Sequence, residues 1–208
     1  RPRPAVVDLA NCTGCGHCFV DCPYGAVVMI ERTDGARHRQ QARVDADLCA
    51  SCGICAGSCP TASPLRPGAM IASGIDVPDR SVDALRAEVT RALDECASES
   101  TSATLVFACA HGASTRTIDG PGVRSIDLLC SAQLPPTFID YALRRGAAGV
   151  VVSSCREADC EYRFGARWTV GRIAGTREPH SRATTDDPRL RLVHASRAES
   201  SILASAIA

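Results

Sequence analysis

Four cysteines near the start of the chain, Cys12, Cys15, Cys18 and Cys22, stand in a C-x2-C-x2-C-x3-C run followed at once by Pro23. The same run returns at Cys49, Cys52, Cys55 and Cys59, followed by Pro60. Three thiolates two residues apart wrap three irons of one cubane, and the fourth, held away by the proline turn, reaches the other cluster. The spacing predicts one 4Fe–4S cluster on Cys12, Cys15, Cys18 and Cys59. It predicts a second on Cys49, Cys52, Cys55 and Cys22. Structural zinc sites use paired C-x2-C units rather than triplets with a trailing C-P, so zinc and disulfides fit the pattern poorly.

A second constellation lies in the other half of the chain. Cys109, Cys130 and Cys155 each close an apolar run that reads as a strand, and Cys160 follows five residues after Cys155. Parallel strands bring their C-terminal ends to one edge, where open α/β sheets place their ligands. Four thiols at that edge would hold a 2Fe–2S cluster or one zinc. Cys109-Ala110-His111 has the C-x-H form of a Rieske site, but no later C-x2-H supplies the second imidazole. Cys96 falls on the apolar stripe of a helix and reads as a buried free thiol.

The elements that must position these residues are legible in outline. Val7–Cys12 (V-D-L-A-N-C) is echoed at Val44–Cys49 (V-D-A-D-L-C), an internal repeat with an offset of 37 residues. Between the repeats, Asp34-Gly35 marks a hairpin turn. Pro64, Pro67, Gly68, Gly74 and Pro78 punctuate a linker. Val82, Leu85, Val89, Leu93 and Cys96 share one helical face behind Ser81, a candidate N-cap. Beyond it, strands are expected at Thr104–Ala108, Val123–Leu129, Gly149–Ser153 and Leu190–His194. Helices are expected after Pro135-Pro136 up to Gly146, over Glu161–Ala174 and over Glu199–Ala208. Strand alternating with helix implies a parallel sheet with right-handed crossovers. The expected fold is an α+β domain around the two cysteine runs, which resembles a ferredoxin domain, followed by an α/β domain with a small parallel sheet. The expected divisions are 1–65, a linker and amphipathic helix at 66–102, and 103–208.

Composition narrows the function. Among 208 residues there are 13 cysteines, and the 23 basic and 23 acidic residues cancel. A neutral chain is a poor general binder of nucleic acid. No apolar stretch approaches the ~20 residues that span a bilayer, so no direct membrane span is expected. Thiolate-bound iron favours a reducing compartment, and the expected location is cytoplasmic. No G-x-S-x-G elbow or P-loop is present, and Gly120-Pro121-Gly122-Val123 is too short for a dinucleotide fingerprint. His17, inside the first cysteine loop, reads as a tuning or partner-contact residue rather than a catalyst. No catalytic residue is expected.

The N-terminal repeat resembles the bacterial two-cluster ferredoxins, whose P-x-G-A-V exit stands here as Pro23, Tyr24, Gly25, Ala26 and Val27. The second exit departs from it as Pro60, Thr61, Ala62, Ser63 and Pro64, which suggests that the closing strand is displaced. Residues 104 to 208 resemble the delta subunit of methyl-viologen-reducing hydrogenase. The resemblance rests on F-A-C at Cys109, L-L-C-S at Cys130, the helix ending R-R-G-A-A-G-V, and D-C-E-Y at Asp159–Tyr162. It implies an iron–sulfur subunit with one 2Fe–2S cluster, coupling hydrogenase or formate dehydrogenase to the flavoprotein of heterodisulfide reductase. The family's second cysteine in the first motif is Gly112 here, so Cys109, Cys130, Cys155 and Cys160 remain as four ligands.

These readings together lead to an electron-transfer subunit of an oxidoreductase complex rather than a catalyst on its own. Two 4Fe–4S clusters and one 2Fe–2S cluster would form a wire, with a flavoprotein or other redox subunits as partners. Two rivals stand beside it. One is a thiol/disulfide enzyme using Cys155 and Cys160. The other is a ferredoxin with a cluster-free docking domain.

Overall fold

The computed structural model describes residues 2–99, 101–116 and 118–207. The N-terminal part is a small ferredoxin-like unit made of two similar passes. The first runs β1 (Val6–Val7), α1 (His17–Asp21) and β2 (Val27–Glu31). The second runs β3 (Gln40–Val44), α2 (Ile54–Gly57) and β4 (Ile75–Asp76). β2 and β3 form an antiparallel hairpin, with Val27 opposite Val44 and Glu31 opposite Gln40. β1 pairs antiparallel with β4, Val6 opposite Asp76. The closing strand therefore arrives well after the second cysteine run, from within the punctuated segment. Both short helices start after a glycine in the left-handed region, Gly16 at φ 81° and Gly53 at φ 78°. A side chain there would strain the turn that brings the third cysteine back over the first two.

α3 (Val82–Ser98) follows, and the Ser81 hydroxyl accepts from the Ala84 N–H at 3.2 Å, as an N-cap should. Val82, Leu85, Val89, Leu93 and Cys96 are all buried on its inner face. Cys96 is wholly enclosed in the core.

The C-terminal part is a four-stranded parallel sheet of β5 (Thr104–Cys109), β6 (Val123–Leu128), β7 (Gly149–Ser154) and β8 (Leu190–His194), in the order β6-β5-β7-β8. The strand order reverses between β5 and β7. β5 is buried along almost its whole length because both faces are covered, which explains an apolar run without alternation. Leu105 and Phe107 belong to the core that also holds α3 and α4 (Thr137–Arg144), while Val106 and Ala108 pack with Leu203 of α6 (Ser200–Ile207). The core with Leu105 and Phe107 also contains Cys12, Val27 and Ile75, so one apolar interior runs through both halves.

Three of the expected strands end one residue away from the expected position, and α4 ends two residues before Gly146. The helix expected over Glu161–Ala174 is α5 (Gly165–Ile173), because 160–164 is spent in turns, with Arg163 at φ 63°. That detour lets Tyr162 and Arg163 reach the N-terminal unit. The terminal helix covers Ser200–Ile207, and the expected last residue, Ala208, lies outside the described residues.

Candidate functional site

Cys12, Cys15, Cys18 and Cys59 line one small cavity, walled by Met29, Ala42 and Ile75. Cys22, Cys49, Cys52 and Cys55 line another, with Ala5, Tyr24, Val27 and Ile54 around them. The last cysteine of each run thus stands with the other run's triplet. The crossing follows from the two short helices, since α1 ends just before Cys22 and α2 just before Cys59. Backbone N–H groups already point at sulfur: Ala5 and Ser51 donate to Cys49 Sγ at 3.5 and 3.4 Å. His17 opens α1, and its Nδ1 is buried without a hydrogen-bond partner among the described residues.

The thiols in these cavities are hard to ionise alone. Burial, then the neighbouring Cys15, Cys59 and Cys12, push Cys18 up to about 12. Burial, opposed by an N–H bond from Ile54 and reinforced by Cys22 and Cys49, pushes Cys52 up to about 11. Cys55 is raised well above the ordinary thiol value, first by burial and then by Cys52, Cys18, Cys49 and Cys22. Groups of thiols that repel one another's negative charge, around an apolar hole, are complementary to a cationic metal core. The donor chemistry and the cavities fit cubane clusters.

The four C-terminal cysteines also converge. Cys109 ends β5, Cys155 follows β7, Cys130 follows β6 after one residue, and all lie at the C-terminal edge of the sheet. Cys109 lies close to Cys130 and Cys155, and their thiols hold it below the ordinary thiol value against burial; the His111 and Ser131 N–H groups add to the effect. Cys130 and Cys155 are raised, first by their bonds to Cys109 and then by burial. Cys155 also contacts Cys160, whose Sγ accepts from the Ala166 N–H of α5 at 3.4 Å. Among the described residues, no three His, Cys, Asp or Glu side chains form a group for a single metal ion.

This edge faces the second cysteine cavity. Cys52 and Ile54 share one buried apolar cluster with Cys130 and Ala132, flanked by Tyr24, Tyr162 and Trp168. The halves fit closely at glycines. A Cβ on Gly165 would fall 2.2 Å from Cys130 Sγ and 3.8 Å from Ile54 Cδ1, and one on Gly57 would fall 2.0 Å from the Ala132 carbonyl oxygen. Burial, then Cys52 and Cys130, push Tyr162 up to about 12.

A buried ionic clamp holds the same junction. Asp21, between Cys18 and Cys22, accepts from Arg172 Nη2 at 2.5 Å, from Ser58 Oγ at 2.7 Å and from Arg177 Nε at 2.9 Å. Arg172 Nη1 donates to the Ala132 carbonyl at 2.7 Å. The Arg177 guanidinium lies 3.4 Å from the Trp168 ring centroid, and Trp168 Nε1 donates to the Asp21 carbonyl at 3.2 Å. Burial alone would raise Asp21, but the Arg177 bonds and the Arg172 charge hold it below the usual carboxylate range. Sequence motifs do not single out Asp21, Arg172, Arg177 or Gly165. The signals in the sequence are weak: Asp21 sits inside a C-x3-C segment, and Trp168 is the only tryptophan in the chain.

No helix among the described residues is long and apolar enough to cross a membrane. Residues 102–208 match the family described as methyl-viologen-reducing hydrogenase, delta subunit, and residues 11–63 match the 4Fe-4S dicluster domain. The chain is 35% identical over 94 residues to one subunit of the ferredoxin:CoB-CoM heterodisulfide reductase of Methanosarcina mazei, covering 45% of this chain and 12% of that protein. It is 40% identical over 45 residues to an iron-sulfur subunit of the F420-non-reducing hydrogenase vhc of Methanococcus voltae, covering 22% of this chain and 31% of that protein. An iron-sulfur subunit of the F420-non-reducing hydrogenase of Archaeoglobus profundus is 42% identical over 45 residues, 22% of this chain and 33% of that protein. The chain thus spans a third or less of these curated relatives.

Proposed function

Because this chain belongs to the methyl-viologen-reducing hydrogenase delta-subunit family and carries a 4Fe-4S dicluster domain ahead of that region, we propose that it is a three-centre electron wire serving partner redox subunits. Cys12, Cys15, Cys18 and Cys59 hold the first 4Fe–4S cluster. Cys49, Cys52, Cys55 and Cys22 hold the second. Cys109, Cys130, Cys155 and Cys160 hold a 2Fe–2S cluster. When bound, these groups supply one-electron carriers. The protein's own residues keep them apart from water, fix their order and present N–H groups to sulfur.

The observation that carries the proposal is the shared packing of Cys52 and Cys130. It supports the order first cubane, second cubane, 2Fe–2S centre, with the second cubane in the middle. Four thiols at one sheet edge supply the four protein ligands that a two-iron centre needs. The division into 1–65, 66–102 and 103–208 belongs to the same proposal, with α3 as the piece joining the halves. A flavoprotein fits as partner because the named relatives are subunits of reductase and hydrogenase complexes. A reducing compartment, the cytoplasm, suits thiolate-bound iron.

Anaerobically purified chain is expected to contain about ten irons and about ten sulfides, with two cubane signals and one 2Fe–2S signal on reduction. About eight irons with a cluster-free C-terminal part would overturn the third centre. A second reading draws on the Cys155–Cys160 contact and the partial exposure of Cys160. In that reading the pair cycles between dithiol and disulfide. Thiol titration that recovers a Cys155–Cys160 disulfide from chain with no 2Fe–2S signal would select it.

A further inference from the structure

The first cysteine cavity opens on a surface that the wire alone leaves unexplained. Cys15 is the one exposed residue of the 13 cysteines. Phe19 and Val20 follow on α1 and stand 49% and 66% exposed. Next to Gly14 of the same cysteine loop, the hairpin between β2 and β3 carries Arg37, His38 and Arg39. All three are exposed, with no side-chain hydrogen bond or ion pair among the described residues. With Thr13, Gly14, Glu31 and Arg32 they line an open groove.

The groove has a fixed position. Arg32 turns inward, donating from Nη1 to the carbonyls of Leu9 and Cys12 at 3.0 and 3.1 Å, and pairs with Asp34 at 2.6 Å. A Cβ on Gly14 would fall 2.3 Å from the Gln40 carbonyl oxygen, so the hairpin base is seated directly on the cysteine loop. Asp34 is neutralised by Arg32, which leaves the charges of Arg37 and Arg39 opposed only by Glu31 within the groove. This is a local concentration of positive charge beside the most accessible cysteine.

We infer that this face docks an acidic redox protein, one with carboxylates around its own electron carrier, and that it is the outer terminal of the wire. The inference rests on the proposed wire. Exposed Phe19 and Val20 supply the apolar contact that a protein partner needs, and Arg37, His38 and Arg39 steer its approach. A small polyphosphate would use the arginines but leave the apolar pair and Cys15 uncovered. In the transfer the reduced partner loses one electron and the chain gains it. No bond forms or breaks.

The test uses the full chain with its clusters and reduced flavodoxin as an acidic one-electron probe. Stopped-flow rates are read against ionic strength for wild type, Arg37→Glu/Arg39→Glu and Arg144→Glu. Arg144 is an exposed control on α4. The double variant should lose at least about tenfold in second-order rate at low salt, and its salt dependence should reverse. Arg144→Glu should behave as wild type, and reduction of all three proteins by cationic methyl viologen should not slow. Equal rates and salt slopes for the double variant, with cubane signals intact, would overturn the docking face and leave the wire standing. Pyrophosphate binding lost in the double variant while electron transfer persists would replace the protein partner with a small anion. Wild-type chain lacking cubane signals would remove the wire and this inference with it.

Discussion

Arg172 and Asp21, 151 residues apart in sequence, meet at 2.5 Å with side chains 2% and 3% exposed. Their pairing ties α5 of the C-terminal sheet to the segment between Cys18 and Cys22. Asp21 is the one carboxylate shared by Arg172 and Arg177, and the two guanidiniums oppose each other's charge. Asp21→Asn should therefore be worse than Arg172→Met. The first leaves a buried cation facing another cation; the second leaves Asp21 with Arg177. Removing one partner of a buried pair costs about 3–5 kcal/mol, so Arg172→Met should fall at the lower end and Asp21→Asn at the upper. Anaerobic denaturation of both variants checks the order. The reverse order would mean that Arg177 does not share the load.

Cluster crossing between the runs is tested by one substitution from each. Cys22→Ser should weaken the centre held by Cys49, Cys52 and Cys55, because Cys22 lines that cavity. Cys59→Ser should weaken the other. Electron paramagnetic resonance of the reduced variants distinguishes the two signals. Loss of the same signal in both would contradict the crossing.

Gly165 gives a steric test of the third site. In a helix, Gly to Ala ordinarily stabilises by about 0.5–1 kcal/mol. Here the new Cβ would lie 2.2 Å from Cys130 Sγ. Gly165→Ala should instead destabilise the chain by about 1–3 kcal/mol. It should lower iron from about ten to about eight with both cubanes retained. Cys130→Ala and Cys160→Ala should give the same iron loss, whereas Cys96→Ala, in the α3 core, should not.

Asp76 sets a pH dependence of known sign. Burial raises it from 3.8 to about 6, against bonds from the Val82 and Val77 N–H groups. The folded state therefore holds this proton more tightly than the unfolded state. Its stabilising effect is full below about pH 4, falls as pH rises towards 6, and stays constant above. The loss amounts to about 1–3 kcal/mol. Asp76→Asn removes the titration, but its NH2 faces one of the two N–H groups, of Val77 and Val82, that the carboxylate accepts from. Its stability relative to wild type should therefore be higher at pH 7 than at about pH 4.5, by about 1–3 kcal/mol. Denaturation of both proteins across that range measures the difference directly, and a constant gap would mean that Asp76 titrates normally.

The cysteine groupings were legible before any fold was known because their geometry is local. Three ligands two residues apart with a left-handed glycine between them curl around one point. The proline after the fourth sends it to the neighbour. The sheet edge was legible for a related reason. Apolar runs such as Thr104–Ala108 have no alternation, which marks strands covered on both faces, and parallel strands must end together. The helix start at Gly165 was not legible, since Glu161–Phe164 carries no breaker and reads as helix. Its turns exist because Tyr162 and Arg163 reach a second surface: Arg163 donates to the Pro23 carbonyl at 3.1 Å. Nor could spacing place Cys52 against Cys130, or bury Arg172, whose type belongs at the surface. Those facts depend on two surfaces fitting at Gly57, Gly53 and Gly165, where missing side chains let backbones and sulfurs approach. Periodicity records which face of an element is apolar, and it carries no record of which face of another element it meets.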